Sequence, residues 1–264
     1  MESEADRDDL QLSLNNMCQW AKDWGMEFNV GKCKVMHIGF NNLKYSYKMD
    51  GVPLTVTERE TDIGVIISND LKWSKQCATA ANRGKAVLNQ ISRVFHYRDR
   101  DIFLKLYCRY VRPHLEFCTP VWNPQGENNK SILEKVQIQA VNLISCLQGT
   151  YEEKLAVLGL QSLETRRRNS DLIQTYKVIK KIDNVQSSHW FNCASEGAMR
   201  VTRQSSNAYN IQPRRSRLEI RKQFFSQRVV QDWNSLPSEI KEAGTLRIFK
   251  KKLLRHKLDT VRDN

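Results

Sequence analysis

The sequence predicts an α+β chain that is mostly helical: an N-terminal helix with a small, mostly antiparallel sheet, then helices to the end. Three observations carry this. Apolar residues recur at helical spacing before Gly25 and again from Trp73 onward. Short strand-like pieces fill the interval between them. Asp50-Gly51, inside that interval, is a hairpin signal, because both residues tolerate the positive φ a tight turn needs.

Leu10, Leu14, Met17, Cys18, Ala21 and Trp24 fall at i, i+3, i+4 spacing, the pattern of an amphipathic helix packed on a larger body. Gly25 follows as its stop. Strands are expected at 26–30, 34–38, 45–49, 52–57 and 61–67, so residues 1–68 form a first region. Ala80, Val87, Leu88, Ile91, Val94 and Phe95 then line one helical face. Ile102, Phe103, Leu106, Tyr107 and Tyr110 line another, expected to end near Pro113 because proline interrupts the helical ladder. Ile132, Leu133, Val136, Ala140, Leu143, Ile144 and Leu147 form a third stripe, and 163–182 a fourth long helix. Residues 184–216, rich in Ser, Asn, Gln and Arg, read as a linker or exposed loop. Phe224, Phe225, Val229, Val230 and Trp233 suggest a helix stopped by Leu236-Pro237, and 246–258 a last, very basic one.

A length of 264 residues suits one or two domains, and 40% hydrophobic with 9% aromatic residues excludes wholesale disorder. No apolar run approaches the ~20 residues of a membrane span, so no membrane contact is expected. The seven cysteines are odd in number and none pairs as C-x-x-C. That argues against a disulfide framework and for an intracellular compartment, nuclear or cytoplasmic. The N-terminus is acidic without an apolar h-region, so no secretory signal is expected.

The 42 Lys+Arg outnumber the 29 Asp+Glu, a net charge of +13. The excess is uneven: residues 164–264 hold 22 basic and 10 acidic side chains, a balance of +12, against +1 for everything before them. A basic segment of this kind points to a polyanion, with nucleic acid first.

Chemistry-bearing motifs are sparse. Gly31-Lys32-Cys33 lacks the first glycine of a phosphate loop, position 26 being Met, and Cys33 replaces its Ser/Thr hydroxyl. Cys108, His114 and Cys118 fall one short of a zinc ligand set and are expected as small buried side chains. Asp6, Asp8 and Asp9 precede a helix, where acidic groups favour the positive end, so a capping and charge role is expected.

One series of motifs does point to a family. Trp20-Ala21-Lys22-Asp23-Trp24-Gly25-Met26-Glu27-Phe28-Asn29 runs into Lys32-Cys33-Lys34-Val35-Met36-His37-Ile38-Gly39. Next come Glu60-Thr61-Asp62-Ile63-Gly64-Val65, Tyr110-Val111-Arg112-Pro113-His114-Leu115-Glu116-Phe117-Cys118 and Leu133-Glu134-Lys135-Val136-Gln137. Ser162-Leu163-Glu164-Thr165-Arg166-Arg167 and Trp233-Asn234-Ser235-Leu236-Pro237 complete the order. This series resembles the C-terminal part of LINE-type (non-LTR, jockey-like) retrotransposon reverse transcriptases, which are RNA-directed DNA polymerases. The likeness is colinear over about residues 7–258.

The resemblance implies a partial palm at 1–68, a helical thumb at 69–148 and a basic C-terminal region at 149–264. The 28–38 hairpin would be palm motif D with Lys32 as its lysine, and Ile63 and Gly64 the primer grip. Read from the residues alone, Lys32 is a solvated turn lysine, and Gly64 equally a glycine in a tight bend. The family's F/Y-A-D-D box, which binds Mg²⁺, is not among these residues, so no cofactor and no polymerase activity are expected of this chain by itself.

The expected partner is RNA or an RNA–DNA duplex, bound without sequence preference, beside the missing palm and fingers of a parent polymerase. Candidate nucleic-acid contacts are Arg166, Arg167, Arg168, Arg214, Arg215, Arg217, Arg221, Lys222, Lys250, Lys251, Lys252, Arg255 and Lys257. Aromatics lie among them, of which Phe224, Phe225 and Trp233 are expected in the core. The chain reads as a truncated, catalytically silent reverse transcriptase that keeps its nucleic-acid affinity. The alternatives are the tail of a longer active polymerase, or a remnant without function.

Overall fold

The computed structural model describes residues 3–39, 42–97, 99–145, 147–193 and 209–262. They are α+β, predominantly helical, with strands paired only two at a time. The chain divides into two compact units, Met1–Gln76 and Cys77–Asn264.

The first unit opens with α1 (Glu4–Asp23), which begins on a capping box: Ser3 Oγ accepts from the Asp6 N–H, and the Asp6 carboxylate accepts from the Ser3 N–H. Gly25, at φ +66°, ends it as expected. No strand forms at 26–30 and no hairpin at 28–38. The chain instead makes a 3₁₀ turn at Val30–Lys32 before β1 (Lys34–Val35).

The hairpin at Asp50-Gly51 is present, joining β2 (Lys48–Met49) to β3 (Val52–Pro53). Both turn residues have positive φ, +51° and +78°, the I′ geometry that matches strand twist. A single small antiparallel sheet does not form. β1 pairs in parallel with β4 (Thr55–Val56), and each ladder stays separate. Pro53 is one cause: the hairpin continues past it through the Leu54 N–H to the Tyr47 carbonyl, but Pro53 offers no N–H on the outer edge of β3 to a further strand.

A second hairpin pairs β5 (Arg59–Asp62) with β6 (Val65–Ser68), so the run expected at 61–67 is broken by a turn at Ile63-Gly64. Gln11 fastens α1 to β2 by imitating a neighbouring strand: its amide accepts from the Lys48 N–H at 2.9 Å and donates to the Lys48 carbonyl at 2.8 Å. Cys18, Ala21, Tyr47, Met49 and Val65 form the small core of this unit.

The second unit takes most of α2 (Ser74–Val94). Cys77, Ala80 and Ala81 keep its buried side narrow, and Gly84 permits a close approach. A Cβ at Gly84 would lie 2.9 Å from Leu115 Cδ2. The next helix does not stop near Pro113. α3 (Arg100–Leu106) continues through a π turn (Tyr107–Val111) into α4 (Arg112–Glu116). The Arg112 N–H bonds to the Tyr107 carbonyl, so the wider turn makes room for a ring that an α-helical turn would exclude.

After α5 (Thr119–Trp122), α6 (Glu127–Asn142) ends short of the apolar stripe that runs to Leu147. The short α7 (Tyr151–Leu158) follows, opened by a Thr150–Glu153 capping box, and then α8 (Leu163–Ile179).

The expected loop at 184–216 holds structure at both ends. α9 (Ser187–Trp190) leads to β7 (Asn192–Cys193), which pairs antiparallel with β8 (Ile211–Gln212). α10 (Glu219–Lys222), α11 (Phe225–Asn234), α12 (Ser238–Lys241) and α13 (Leu246–Arg262) complete the chain. Their core gathers Leu172, Tyr176, Phe191, Phe225, Val229, Trp233, Phe249 and Leu253. Tyr176 stacks on Phe249 with centroids 4.2 Å apart. Among the described residues, no helix is long and apolar enough to cross a membrane.

Candidate nucleic-acid interface

The positive charge belongs to the second unit. Residues 1–76 carry 9 Lys/Arg against 12 Asp/Glu, whereas residues 77–264 carry 33 against 17, a balance of +16. How much of it reaches solvent depends on which cations the fold uses internally.

The Arg166-Arg167-Arg168 run is divided by the helix that carries it. Successive residues of α8 point about 100° apart, so three adjacent arginines meet three environments. Arg166 forms a two-pronged pair with Glu116 of α4, with Nη2 2.8 Å from Oε2. Arg167 is 1% exposed, and among the described residues its guanidinium has no hydrogen-bond partner. Burial lowers its pKa, against the opposing charge of Glu134. Arg168 reaches Asp232 of α11, with Nε 2.9 Å from Oδ2.

A polar cleft of about 200 Å³ lies beside these residues, lined by Lys130, Glu164, Arg168, Asp171, Arg228 and Asp232. Its cations face carboxylates: Lys130 meets Glu164 at 2.7 Å, and Arg228 meets Asp171 at 2.9 Å. A phosphate entering there would compete with partners already in place.

The segment from Arg214 to Phe224 differs. Only Glu219 opposes five cations between Arg214 and Lys222. Arg214 is half-buried and donates to the Ser188 carbonyl and to Asn192 Oδ1 at 2.7 Å, tying the segment to α9 and β7. Lys222 pairs with Glu219 at 2.8 Å, an exposed i,i+3 bridge of small worth. Arg215, Arg217 and Arg221 are exposed. Phe224 does not join the core as expected: it is 46% exposed, with the Arg221 guanidinium 4.9 Å from its ring centre. Its neighbour Phe225 and Trp233 are buried as expected.

On α13, Phe249 and Leu253 face inward while Lys250, Lys251 and Arg255 are exposed. Lys252 is half-buried and donates to the Glu239 carbonyl. Lys257 belongs to the same helix, and its side chain lies outside the described residues.

In the first unit, Lys32 is exposed at the end of the 3₁₀ turn. Ile63 and Gly64 form the tip of the second hairpin, with φ +45° and +80°, and Ile63 is 86% exposed. A β-branched side chain is disfavoured at positive φ, so the tip is strained as well as apolar.

The Mg²⁺ that the family resemblance implies needs converging carboxylates, and those present do not fit. Asp6 closes the capping box, Asp8 pairs with Arg7 at 2.7 Å, and with Asp9 they spread around one helix end. Among the described residues no group of three or more His, Cys, Asp or Glu side chains could hold a metal ion. His114, on α4, and Cys118, which takes a left-handed φ of +55° where the chain turns from α4 to α5, are exposed rather than buried.

No family model matches the chain, and no solved structure matches it. An uncharacterized protein of Caenorhabditis elegans is similar, at 23% identity over 127 residues, or 47% of this chain. The aligned stretch spans 64% of that relative's length.

Several residues that organise the basic region lie outside the sequence expectations: Asn123, Asp171, Asp232 and Arg228. Their pairings are long-range and leave no periodic trace. Of the segments that carry the family resemblance, 110–118 and 133–137 both meet 162–167. Glu116 of one holds Arg166 of another, and both carboxylate oxygens of Glu134 accept from the Leu163 N–H at 3.1–3.2 Å. Asn234 pairs with Ile211 through both backbone groups, at 2.9 and 2.8 Å.

Proposed function

We propose that this chain binds nucleic acid without sequence preference, through exposed cations of its C-terminal region. The observation that carries the reading is the Arg215–Arg217–Arg221 stretch. It is solvent-facing and nearly free of acidic neighbours, whereas Arg166 and Arg168 are engaged by carboxylates. Lys250, Lys251 and Arg255 add a second exposed group on α13.

The colinear motif series supports a place beside LINE-type reverse transcriptases. Assigning 1–68 to palm and 69–148 to thumb rests on that series alone. In such a setting the chain contributes grip on RNA or an RNA–DNA duplex and not the carboxylates that hold Mg²⁺.

The test is binding of the full chain to single-stranded RNA and to an RNA–DNA duplex across a salt series. Each phosphate neutralised gives a slope in log K against log salt of about −0.9 on duplex DNA and about −0.7 on single strands. A flat dependence, or no binding at low salt, overturns the reading. Primer extension with Mg²⁺ should give no product from this chain by itself.

A further inference from the structure

The residues from Arg214 to Phe224 combine three features that separate elsewhere in the described chain. First, cations stand in the open, with Arg215, Arg217 and Arg221 all exposed. Second, the segment is fastened at both ends. Arg214 is bonded to Ser188 and Asn192, and Phe225, immediately beyond, is buried against Phe191 with ring centres 5.7 Å apart. Third, the fold turns one of two adjacent phenylalanines outward. Phe224 caps α11 in an extended conformation, φ −66° and ψ 145°, which sends its side chain away from the core that Phe225 enters.

A phenylalanine left 46% exposed forgoes part of its hydrophobic stabilisation. The guanidinium of Arg221 lies over its ring, a planar cation of the kind that both stacks on aromatic faces and binds phosphate. A ring paired with a guanidinium, flanked by further exposed arginines, suits a ligand with planar groups strung on a polyanion. An acidic peptide would satisfy the charges and leave the ring without a counterpart. A duplex would present phosphates but keep its bases stacked on each other.

The geometry points to Phe224 and Arg221 as a stacking platform for an unpaired base, with Arg215 and Arg217 neutralising the adjoining phosphates, so that the preferred ligand is single-stranded. This rests on the nucleic-acid reading above and specifies its ligand. Aromatic platforms bind single strands with little sequence preference, because every base offers a face.

The experiment compares the full chain's affinity for a short oligo(dA) and for an abasic strand of the same length, which carries the same phosphates without bases. Wild type should favour oligo(dA) by about tenfold, within the range for one base stacked on an aromatic ring. Phe224→Ala should erase that preference while leaving abasic binding in place and the chain folded by thermal melting, and Phe224→Tyr should keep it. Arg221→Gln should weaken binding to both strands.

Equal affinity of wild type for the two strands overturns the platform while leaving the wider reading standing, as does a preference that survives Phe224→Ala. Polyglutamate competing as well as oligo(dA) overturns it too, since the surface would then read charge alone. Failure to bind either strand at low salt overturns both.

Discussion

Arg228 of α11 meets Asp171 of α8 in a two-pronged ion pair, with Nε to Oδ2 and Nη2 to Oδ1 each 2.9 Å. Asn123 adds a 2.8 Å hydrogen bond to the same carboxylate, and Arg228 also donates to the Pro120 and Gln223 carbonyls. Burial raises the Asp171 carboxyl pKa, and the Arg228 hydrogen bonds oppose that rise. Removing one partner therefore leaves the other buried and uncompensated. Arg228→Met should cost about 3–5 kcal/mol in urea unfolding, and the double variant Arg228→Met, Asp171→Leu should recover much of it. A cost under about 1 kcal/mol for the single variant, the range of a surface pair, would show the pair to be solvated.

The same logic separates structural from ligand-facing arginines. Arg166 is engaged by Glu116 and Arg168 by Asp232, whereas Arg215 and Arg217 are exposed. Arg166→Gln and Arg168→Gln should lower the melting temperature and leave the salt slope of nucleic-acid binding unchanged. Arg215→Gln and Arg217→Gln should do the reverse, each reducing the slope by about 1 where the side chain meets a phosphate. Salt titrations combined with thermal melts of all four variants distinguish the two classes.

Much of the helical framework is legible in the sequence because its apolar stripes are long. What escapes has identifiable physical causes. The passage through Pro113 depends on a π turn, and residue spacing does not reveal an i→i+5 bond. α7 has only eight residues, too few for a strong stripe, although Thr150 and Glu153 spell its capping box. Asp50-Gly51 is readable as a hairpin because its residues suit positive φ. Ile63-Gly64 is not, because isoleucine suits a strand.

For the candidate site, a run of basic residues gives total charge but not its destination. Arg166, Arg167 and Arg168 look alike in sequence and lie in an ion pair, the interior and a second ion pair. Phe224 and Phe225 differ only in which follows the turn into α11, and that decides which one faces solvent.

The hairpin tip makes a further prediction. Ile63 holds φ +45° in the first turn position, where asparagine and aspartate are at ease and a β-branched residue is strained by about 1–2 kcal/mol. Its side chain is exposed, so its removal forfeits little packing. Ile63→Asn should raise unfolding free energy by about 1 kcal/mol. A loss of stability would mean that the isoleucine is covered in solution.

Cys77 supplies a test in the alkaline range. Its thiol is fully buried in α2, and burial pushes its pKa from the ordinary value of 9.0 up to about 12, with the Arg167 charge opposing. The folded pKa is the higher of the two, so the native state holds this proton more tightly than the unfolded chain. The corresponding stabilisation is complete below pH 9.0 and is lost as pH rises through 9.0 toward about 12. Within that window the loss approaches at most about 1.4 kcal/mol per pH unit. Cys77→Ala should be less stable at neutral pH, through lost packing, and should lose less on going above pH 9.0. Melting temperatures of the two proteins, followed across that range, should therefore converge. Maleimide labelling of the native protein offers an independent check. Cys118 is exposed and should react, while Cys77 should stay unmodified until the chain is unfolded. Parallel melting curves up to the alkaline limit, or early labelling of Cys77, would show that water reaches this face of α2.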